Sequence, residues 1–179
     1  TEETKFTDNY NANYYVYRSF QMFNIFEDVY GYDEMGKSCI RICATSGNTA
    51  LFDAGYENVF YSKIYNPRDQ RADYLAVAPY IGSGLDGNHL EIRDLFHEAT
   101  NSVLDSYVKS AYNMGKKYGL PLMAYEGGQH LLLGADAWSR NPDIYAQYIY
   151  MLNKFAPYFE LYCHYCLTGA WGSGGSWGA

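Results

Sequence analysis

The sequence has little of what marks several common classes of protein. No apolar run approaches the roughly 20 residues that a membrane-spanning helix needs, and the polar start of the chain does not look like a secretion signal. Basic runs are also missing, since 13 Lys and Arg stand against 20 Asp and Glu for a net charge of −7. Because binding to phosphates takes clustered positive charge, we expect neither nucleic acid as a partner nor a membrane span.

Cysteine is scarce, with four residues at Cys39, Cys43, Cys163 and Cys166. The C-x-x-C spacing of the last pair is compatible with zinc binding or redox chemistry. However, both pairs fall in strand-like runs, where a spacing of three puts the last two side chains on opposite faces. We therefore interpret the four as buried free thiols, with disulfides as the alternative, and expect no metal and no other cofactor.

What the sequence does contain is typical of a globular domain. Its 179 residues are 48% hydrophobic and 18% charged, which is enough to bury a core in one domain spanning residues 1–179. Tyrosine is unusually frequent, with 21 residues. Because a tyrosine both stacks on an apolar face and offers a hydroxyl group, this content suits a sugar-like ligand or a broad protein interface.

Helical and strand-like patterns alternate along the chain. Apolar residues three and four apart predict four helices, at Asn13–Tyr30, about Ala50–Tyr61, Leu90–Tyr118 and Pro142–Phe155. Continuous apolar runs predict four strands, which begin at Lys37, Tyr74, Leu122 and Phe159. This alternation predicts an α/β fold of parallel β/α units, with about four strands alternating with helices.

Polar and aromatic side chains collect where the predicted strands end, which is where α/β enzymes carry their chemistry. Glu126 follows an apolar strand and precedes two glycines that let a ligand come close, as a carboxylate nucleophile requires. Tyr80 ends the previous strand and could supply a hydroxyl group to Glu126, while Trp171 would form an aromatic floor under a sugar. The alternative is that Glu126 caps the following helix or pairs with Arg68, Arg71 or Arg93.

Four further residues are weaker candidates for the site. His130 lies four residues after Glu126 and either contacts a ligand or bonds a loop carbonyl. Asp136 and Trp138 would extend a cleft, although a solvated Asp and a packing Trp explain them equally simply. His164 lies in the last strand and belongs either to the core or to the site.

Three segments follow one another in a recognisable order: Tyr74–Gly82, then Met123–Leu131, then a strand that closes on a Trp-Gly tail. Together they resemble the last three strands of cellulase-like glycoside hydrolases of the clan A, (βα)8-barrel type. Arg18–Gly31 is similar to the helix that precedes the fifth strand in that family.

The resemblance implies a role for three residues. Glu126 matches the family's nucleophile, Tyr80 the residue that supports it, and Trp171 the substrate platform after the eighth strand, a role that Trp177 could take instead.

Two departures from the family pattern limit the resemblance. The family's acid/base glutamate follows an asparagine before the helix that corresponds to Asn13–Tyr30, and no Asn-Glu pair precedes that helix here. Retaining glycosidases need two carboxyl groups about 5–5.5 Å apart. A complete barrel also takes about 250 residues. We therefore interpret the chain as the C-terminal half of a barrel, a partial TIM barrel that is either a fragment or pairs with another chain.

The expected function is that of a glycoside hydrolase acting on a polysaccharide by a retaining mechanism, with Glu126 as nucleophile and the acid/base outside this chain. On this interpretation the isolated chain could be inactive. The alternative is a non-catalytic carbohydrate-binding or self-assembling structural protein derived from a glycosidase fold. Expected partners are a polysaccharide or oligosaccharide and either a second copy or a complementary half-barrel, because open strand edges associate. A polysaccharide substrate favours a secreted or extracellular protein.

Overall fold

A computed structural model of the chain describes residues 10–46, 49–82, 91–131 and 139–169. Within these ranges the helices are α1 Tyr10–Tyr30, α2 Thr49–Phe60, α3 Ile92–Val103, α4 Lys109–Tyr118 and α5 Ile144–Phe155. The strands are β1 Ile42–Thr45, β2 Tyr74–Val77, β3 Tyr80–Ile81, β4 Leu122–Ala124, β5 Gly128–Gln129 and β6 Leu161–Tyr162. A π-helical turn, Leu104–Val108, joins α3 to α4, and 3-10 turns lie at Tyr32–Glu34 and Ala156–Tyr158.

Four of the strands form one parallel sheet in the order β1-β2-β4-β6, with helices between successive strands of the sheet. In its β4–β6 pair, Met123 lies opposite Leu161. The two remaining strands, β3 and β5, pair in parallel as a separate small sheet. The prediction of an α/β fold with four parallel strands alternating with helices is confirmed. That these strands belong to a half-barrel stays a prediction.

Two predicted strands are shorter in the structure than the apolar runs suggested. Residues 35–39 form a tight turn, in which the carbonyl of Glu34 accepts hydrogen bonds from the amides of residues 37, 38 and 39, each at 3.1 Å. The first strand therefore begins at Ile42 and not at Lys37. The last strand ends at Tyr162, and the following segment forms loop contacts that the site below depends on.

The predicted helix at Pro142 begins two residues later. The side-chain oxygen of Asn141 accepts a hydrogen bond from the amide of Asp143 at 2.9 Å, and its carbonyl accepts one from the amide of Ile144 at 3.0 Å. Because these bonds form a turn ahead of the helix, α5 starts at Ile144. Among the described residues no helix is both long and apolar enough to cross a membrane.

The chain divides into two compact units, which we call the first unit (residues 1–76 and 114–121) and the second unit (residues 77–113 and 122–179). In the first unit α1 packs on α2, with the rings of Phe20 and Tyr56 edge to face at 5.7 Å. The two helices approach closely at Gly55, where an added Cβ would lie 2.7 Å from the carbonyl carbon of Ala12. Only glycine leaves room for this contact.

The second unit has its own apolar core, in which α3, α5 and the π-helical turn pack together beside β3. This core consists of buried apolar side chains that contact one another. Burial of apolar surface is the main favourable contribution to the free energy of folding. The largest of these side chains are Ile81, Leu95, Phe96, Met151 and Phe155.

A partly buried ion pair joins the starts of β1 and β2. One oxygen of Asp73 accepts hydrogen bonds from the backbone amide of Arg41 at 2.8 Å and from its Nε at 2.9 Å, and the other accepts from Nη2 at 2.8 Å. Burial opposes ionisation of Asp73, but the hydrogen bonds and charge of Arg41 outweigh it, so the pKa of this carboxyl group is lowered. The ionised form of Asp73 therefore stabilises the fold.

We expect Asp73→Asn to lower the free energy of unfolding at pH 7 by about 3 kcal/mol, because it leaves Arg41 without its charge partner. Since the pKa of Asp73 is lowered on folding, its contribution is present above about pH 4 and is lost as the pH falls through the lowered pKa. Urea denaturation at several pH values measures both effects. Asp69→Asn, in an exposed pair with Lys63, is the control and should cost less than about 1 kcal/mol. Equal stabilities of wild type and Asp73→Asn at pH 7 would contradict this account.

All four cysteines are free thiols, but they differ in exposure. Cys43 is buried in β1, Cys39 and Cys166 are partly exposed, and Cys163 is exposed because β6 ends before it. Burial raises the pKa of Cys43 to about 12. Among the described residues, no three His, Cys, Asp or Glu side chains come together as metal ligands.

We expect iodoacetamide at pH 8 to modify Cys163 in the native protein and to leave Cys43 unmodified. The thiolate is the reactive form, and Cys43 is both buried and held protonated by its raised pKa. Peptide mass spectrometry after timed alkylation measures the two rates, with protein unfolded in urea as the control in which both react. Equal native rates for Cys43 and Cys163 would show that β1 is not packed as described.

Candidate functional site

The candidate site lies just beyond the ends of β2 and β4, where strand pairing stops and then resumes. Ala78 and Pro79 separate β2 from β3, and residues 125–127 separate β4 from β5. Pairing resumes with Tyr80 opposite Gly128, and the amide of His130 donates to the carbonyl of Ile81 at 2.7 Å. The backbone on both sides of the break is therefore fixed, which places Tyr80 next to the turn that carries Glu126.

The phenol of Tyr80 lies close enough to the carboxylate of Glu126 for the two groups to interact electrostatically. Burial, and then the negative charge of Glu126, raise the pKa of Tyr80 well above its usual range. The phenol consequently stays protonated and is available as a donor beside the half-buried carboxylate of Glu126. Arg93, considered above as a possible partner of Glu126, pairs with Asp94.

Two glycines let the segment after β6 pack directly on the Glu126 turn. An added Cβ on Gly127 would lie 2.5 Å from the hydroxyl oxygen of Tyr162, and one on Gly128 would lie 3.0 Å from Cε1 of His164. The carbonyl of Gly127 also accepts a hydrogen bond from the amide of Tyr165 at 2.8 Å. The turn is thereby held by the strand pairing on one side and by residues 162–165 on the other.

Two buried polar atoms next to the Glu126 turn lack hydrogen-bond partners among the described residues. The hydroxyl group of Tyr162 and Nε2 of His164 have no hydrogen-bond partner among the described residues. Burial lowers the pKa of His164, so its imidazole is neutral at pH 7, and its ring meets that of Tyr148 edge to face at 5.1 Å. His164, for which the sequence allowed either the core or the site, therefore lies half-buried beside the site, with its Nε2 atom buried.

Two aromatic rings lie near that of Tyr80. The ring of His130 is 5.8 Å from it, and the ring of Tyr165, which is 46% exposed, is 6.5 Å from it. Sequence reasoning missed Tyr165 and Tyr162. The available signal was the density of aromatic residues in Phe159–Leu167, but assigning a residue to the site required knowing that β6 ends at Tyr162.

The structure brings together three of the predicted site residues, Glu126, Tyr80 and His130, and their roles stay predictions. Trp138 and Trp171 lie outside the described residues, as do Asp136 and Trp177, so the predictions for them are unchanged.

The arrangement is chemically suited to a reaction that uses a fixed carboxylate. Glu126 has a neutral phenol beside it, is partly accessible and has aromatic rings nearby, so it can act as a nucleophile, take up a proton or accept a hydrogen bond from a hydroxyl group of a ligand. No protein-family model, curated protein or solved structure matches this chain. Any functional conclusion therefore depends on the geometry of the site itself.

We expect Gly127→Ala to destabilise the fold by about 2 kcal/mol, because the new methyl group would overlap the Tyr162 hydroxyl group and ring. Adding Tyr162→Phe should recover part of this loss, since it removes the atom closest to the new methyl group. A double-mutant cycle from urea denaturation measures the coupling between the two changes. Strictly additive effects would show that the two residues do not touch.

Proposed function

We propose that this chain forms part of a retaining β-glycosidase in which Glu126 is the nucleophile and Tyr80 orients it. The observation that carries the proposal is that the protonated phenol of Tyr80 lies beside the carboxylate of Glu126, beyond the ends of two parallel strands. Parallel α/β folds keep their reactive groups at this end of the strands. A nucleophilic carboxylate has to be both ionised and held in one orientation, and a phenol that stays protonated supplies the second condition.

The proposed reaction proceeds in two steps. In the first, a carboxylate oxygen of Glu126 attacks the anomeric carbon, the bond from that carbon to the leaving oxygen breaks, and the leaving oxygen is protonated by an acid. In the second, water attacks the anomeric carbon of the glycosyl ester, the group that acted as the acid takes up the proton of that water, and the carboxylate of Glu126 leaves. The acid would come from a second carboxyl group about 5–5.5 Å from Glu126, which we expect to lie outside this chain.

A polysaccharide or oligosaccharide is the proposed substrate. The rings of Tyr80, Tyr165 and His130 offer aromatic surface next to the carboxylate, and aromatic faces suit the apolar faces of sugars. Trp138 and Trp171 would extend that surface. A substrate of this kind would place the protein outside the cell.

We also propose that a second copy or a complementary half-barrel covers the apolar surface left open in this chain. On α1 an apolar stripe is solvent-exposed, including Ile25 at 54% and Val29 at 70%. In the last strand, Leu161 is 53% exposed at the edge of the sheet. Exposed apolar surface and open strand edges of this kind favour association.

We expect Glu126→Ala to reduce turnover of a dinitrophenyl β-glycoside by roughly 10⁴-fold or more, with little change in stability. This substrate is chosen because dinitrophenolate leaves without protonation, so the first step needs no acid, and the rate of dinitrophenolate release in that step is the quantity compared between variants. Tyr80→Phe should reduce turnover by about 10²-fold, because the carboxylate is then poorly oriented. Glu98→Ala, which removes an exposed carboxylate from α3, is the matched control and should retain full activity.

Retained turnover in Glu126→Ala would contradict the proposed nucleophile. Saturable glycan binding by the wild type without any release of reducing ends would instead favour the alternative, a non-catalytic carbohydrate-binding or self-assembling protein.

A further inference from the structure

The π-helical turn Leu104–Val108 interrupts the helical segment of the second unit between α3 and α4. The amide of Lys109 closes the turn by donating to the carbonyl of Leu104, five residues back. Leu104 and Val108 are buried in the core, the two residues after Leu104 are exposed, and Tyr107 is partly buried. Turns of this kind are rare inside helices and frequently occur at functional sites.

The hydroxyl group of Tyr107 meets the chain segment that carries Tyr80. Burial raises the pKa of Tyr107 to about 12, and the backbone of Ala78 opposes this rise, as an N–H aimed at the phenol oxygen does. Ala78 lies between β2 and β3, and its carbonyl accepts a hydrogen bond from the amide of Tyr80 at 2.9 Å. Ala78 therefore joins the two tyrosines, through its N–H on one side and its carbonyl on the other.

The phenol of Tyr107 is also close to the segment that carries Glu126. It lies within electrostatic reach of the phenol of Tyr125, the residue directly before Glu126. The phenol of Tyr125 in turn acts on that of Tyr80. The amide of Tyr125 donates to the carbonyl of Val77 at 3.1 Å, which joins the two segments just before they separate. Tyr107 is therefore placed beside both segments at the break in strand pairing.

The break between β2 and β3 has few backbone groups that could fix it. It consists of Ala78 and Pro79, and proline has no N–H to donate. The N–H of Ala78 is thus the single backbone donor of the break, and the hydroxyl group of Tyr107 supplies its acceptor. A backbone N–H that loses its acceptor away from water is costly, so this contact constrains the path of the chain into Tyr80.

We propose that Tyr107 is a positioning residue, which holds the backbone at the break between β2 and β3 so that Tyr80 stays beside Glu126. Tyr107 acts through Ala78 and Tyr80 and has no contact of its own with a substrate. The kinetic consequence of this role rests on the proposed hydrolase function, whereas its effect on the backbone does not.

Amide hydrogen exchange of the Tyr107→Phe variant, followed by NMR, tests the positioning role without a substrate. The variant keeps the ring but leaves the N–H of Ala78 without its acceptor. The amides of Tyr125 and His130 donate across the break and across the β3–β5 pair. Relative to the amides of α5, which correct for any general loss of stability, we expect these two to exchange about tenfold faster than in the wild type.

Tyr150→Phe is the matched control. It also removes a phenol hydroxyl group of the second unit, one that donates to the side chain of Asn101 at 3.3 Å. Because Tyr150 has no part in the break, exchange at Tyr125 and His130 should keep its wild-type ratio to exchange in α5.

Release of dinitrophenolate from the dinitrophenyl β-glycoside measures the kinetic consequence. Tyr107→Phe should lower kcat by about tenfold and leave KM unchanged, because the carboxylate and not the sugar loses its position. In the Tyr80→Phe background the same change should lower kcat by less than about twofold, since Tyr107 acts through Tyr80.

Two results would overturn the proposal. One is a wild-type ratio of exchange at Tyr125 and His130 to exchange in α5 in the Tyr107→Phe variant. The other is an equal loss of kcat from Tyr107→Phe with and without the hydroxyl group of Tyr80. Retained turnover in Glu126→Ala would overturn the proposed hydrolase alone, and the exchange result would still decide the role of Tyr107.

Discussion

The candidate site depends on the parallel pairing between β3 and β5. This pairing begins a few residues after β2 and β4 of the main sheet have ended. Without it, Ala78–Ile81 and Tyr125–Gln129 would be two independent loops, and ordering a free loop residue costs about 1–2 kcal/mol of backbone entropy. The register places Tyr80 opposite Gly128, two residues after Glu126. A phenol and a carboxylate are therefore brought together by backbone hydrogen bonds, before any ligand contributes to their position.

The second constraint is the close packing of residues 162–165 on the Glu126 turn. This packing requires the small size of Gly127 and Gly128, and it buries the hydroxyl group of Tyr162 and Nε2 of His164 without partners among the described residues. Unsatisfied buried polar atoms cost roughly 1–3 kcal/mol each. The fold tolerates this cost where it holds a carboxylate rigidly, and rigid support from neighbouring residues is what fixed catalytic geometry requires.

Much of the fold could be predicted from local pattern, because periodicity is a property of neighbouring residues. The spacing of apolar residues predicted α1 and α2 nearly to their ends, and apolar runs that end in glycine placed Tyr80 and Glu126 at strand ends. Local pattern failed where distant contacts decide the backbone. The start of β1 is set by pairing of Arg41 with Asp73, 32 residues away, and the end of β6 by contacts to the Glu126 turn.

The central claim is that Glu126, oriented by Tyr80, can attack an anomeric carbon. Treatment with a 2-deoxy-2-fluoro-β-glycosyl fluoride tests it directly, because fluoride leaves without an acid catalyst and the fluorine at carbon 2 slows hydrolysis of the ester. We predict that peptide mass spectrometry finds one glycosyl group per chain, on Glu126, and that Tyr80→Phe acquires it more slowly. Labelling of a different carboxylate, or no labelling at saturating reagent, would contradict the account.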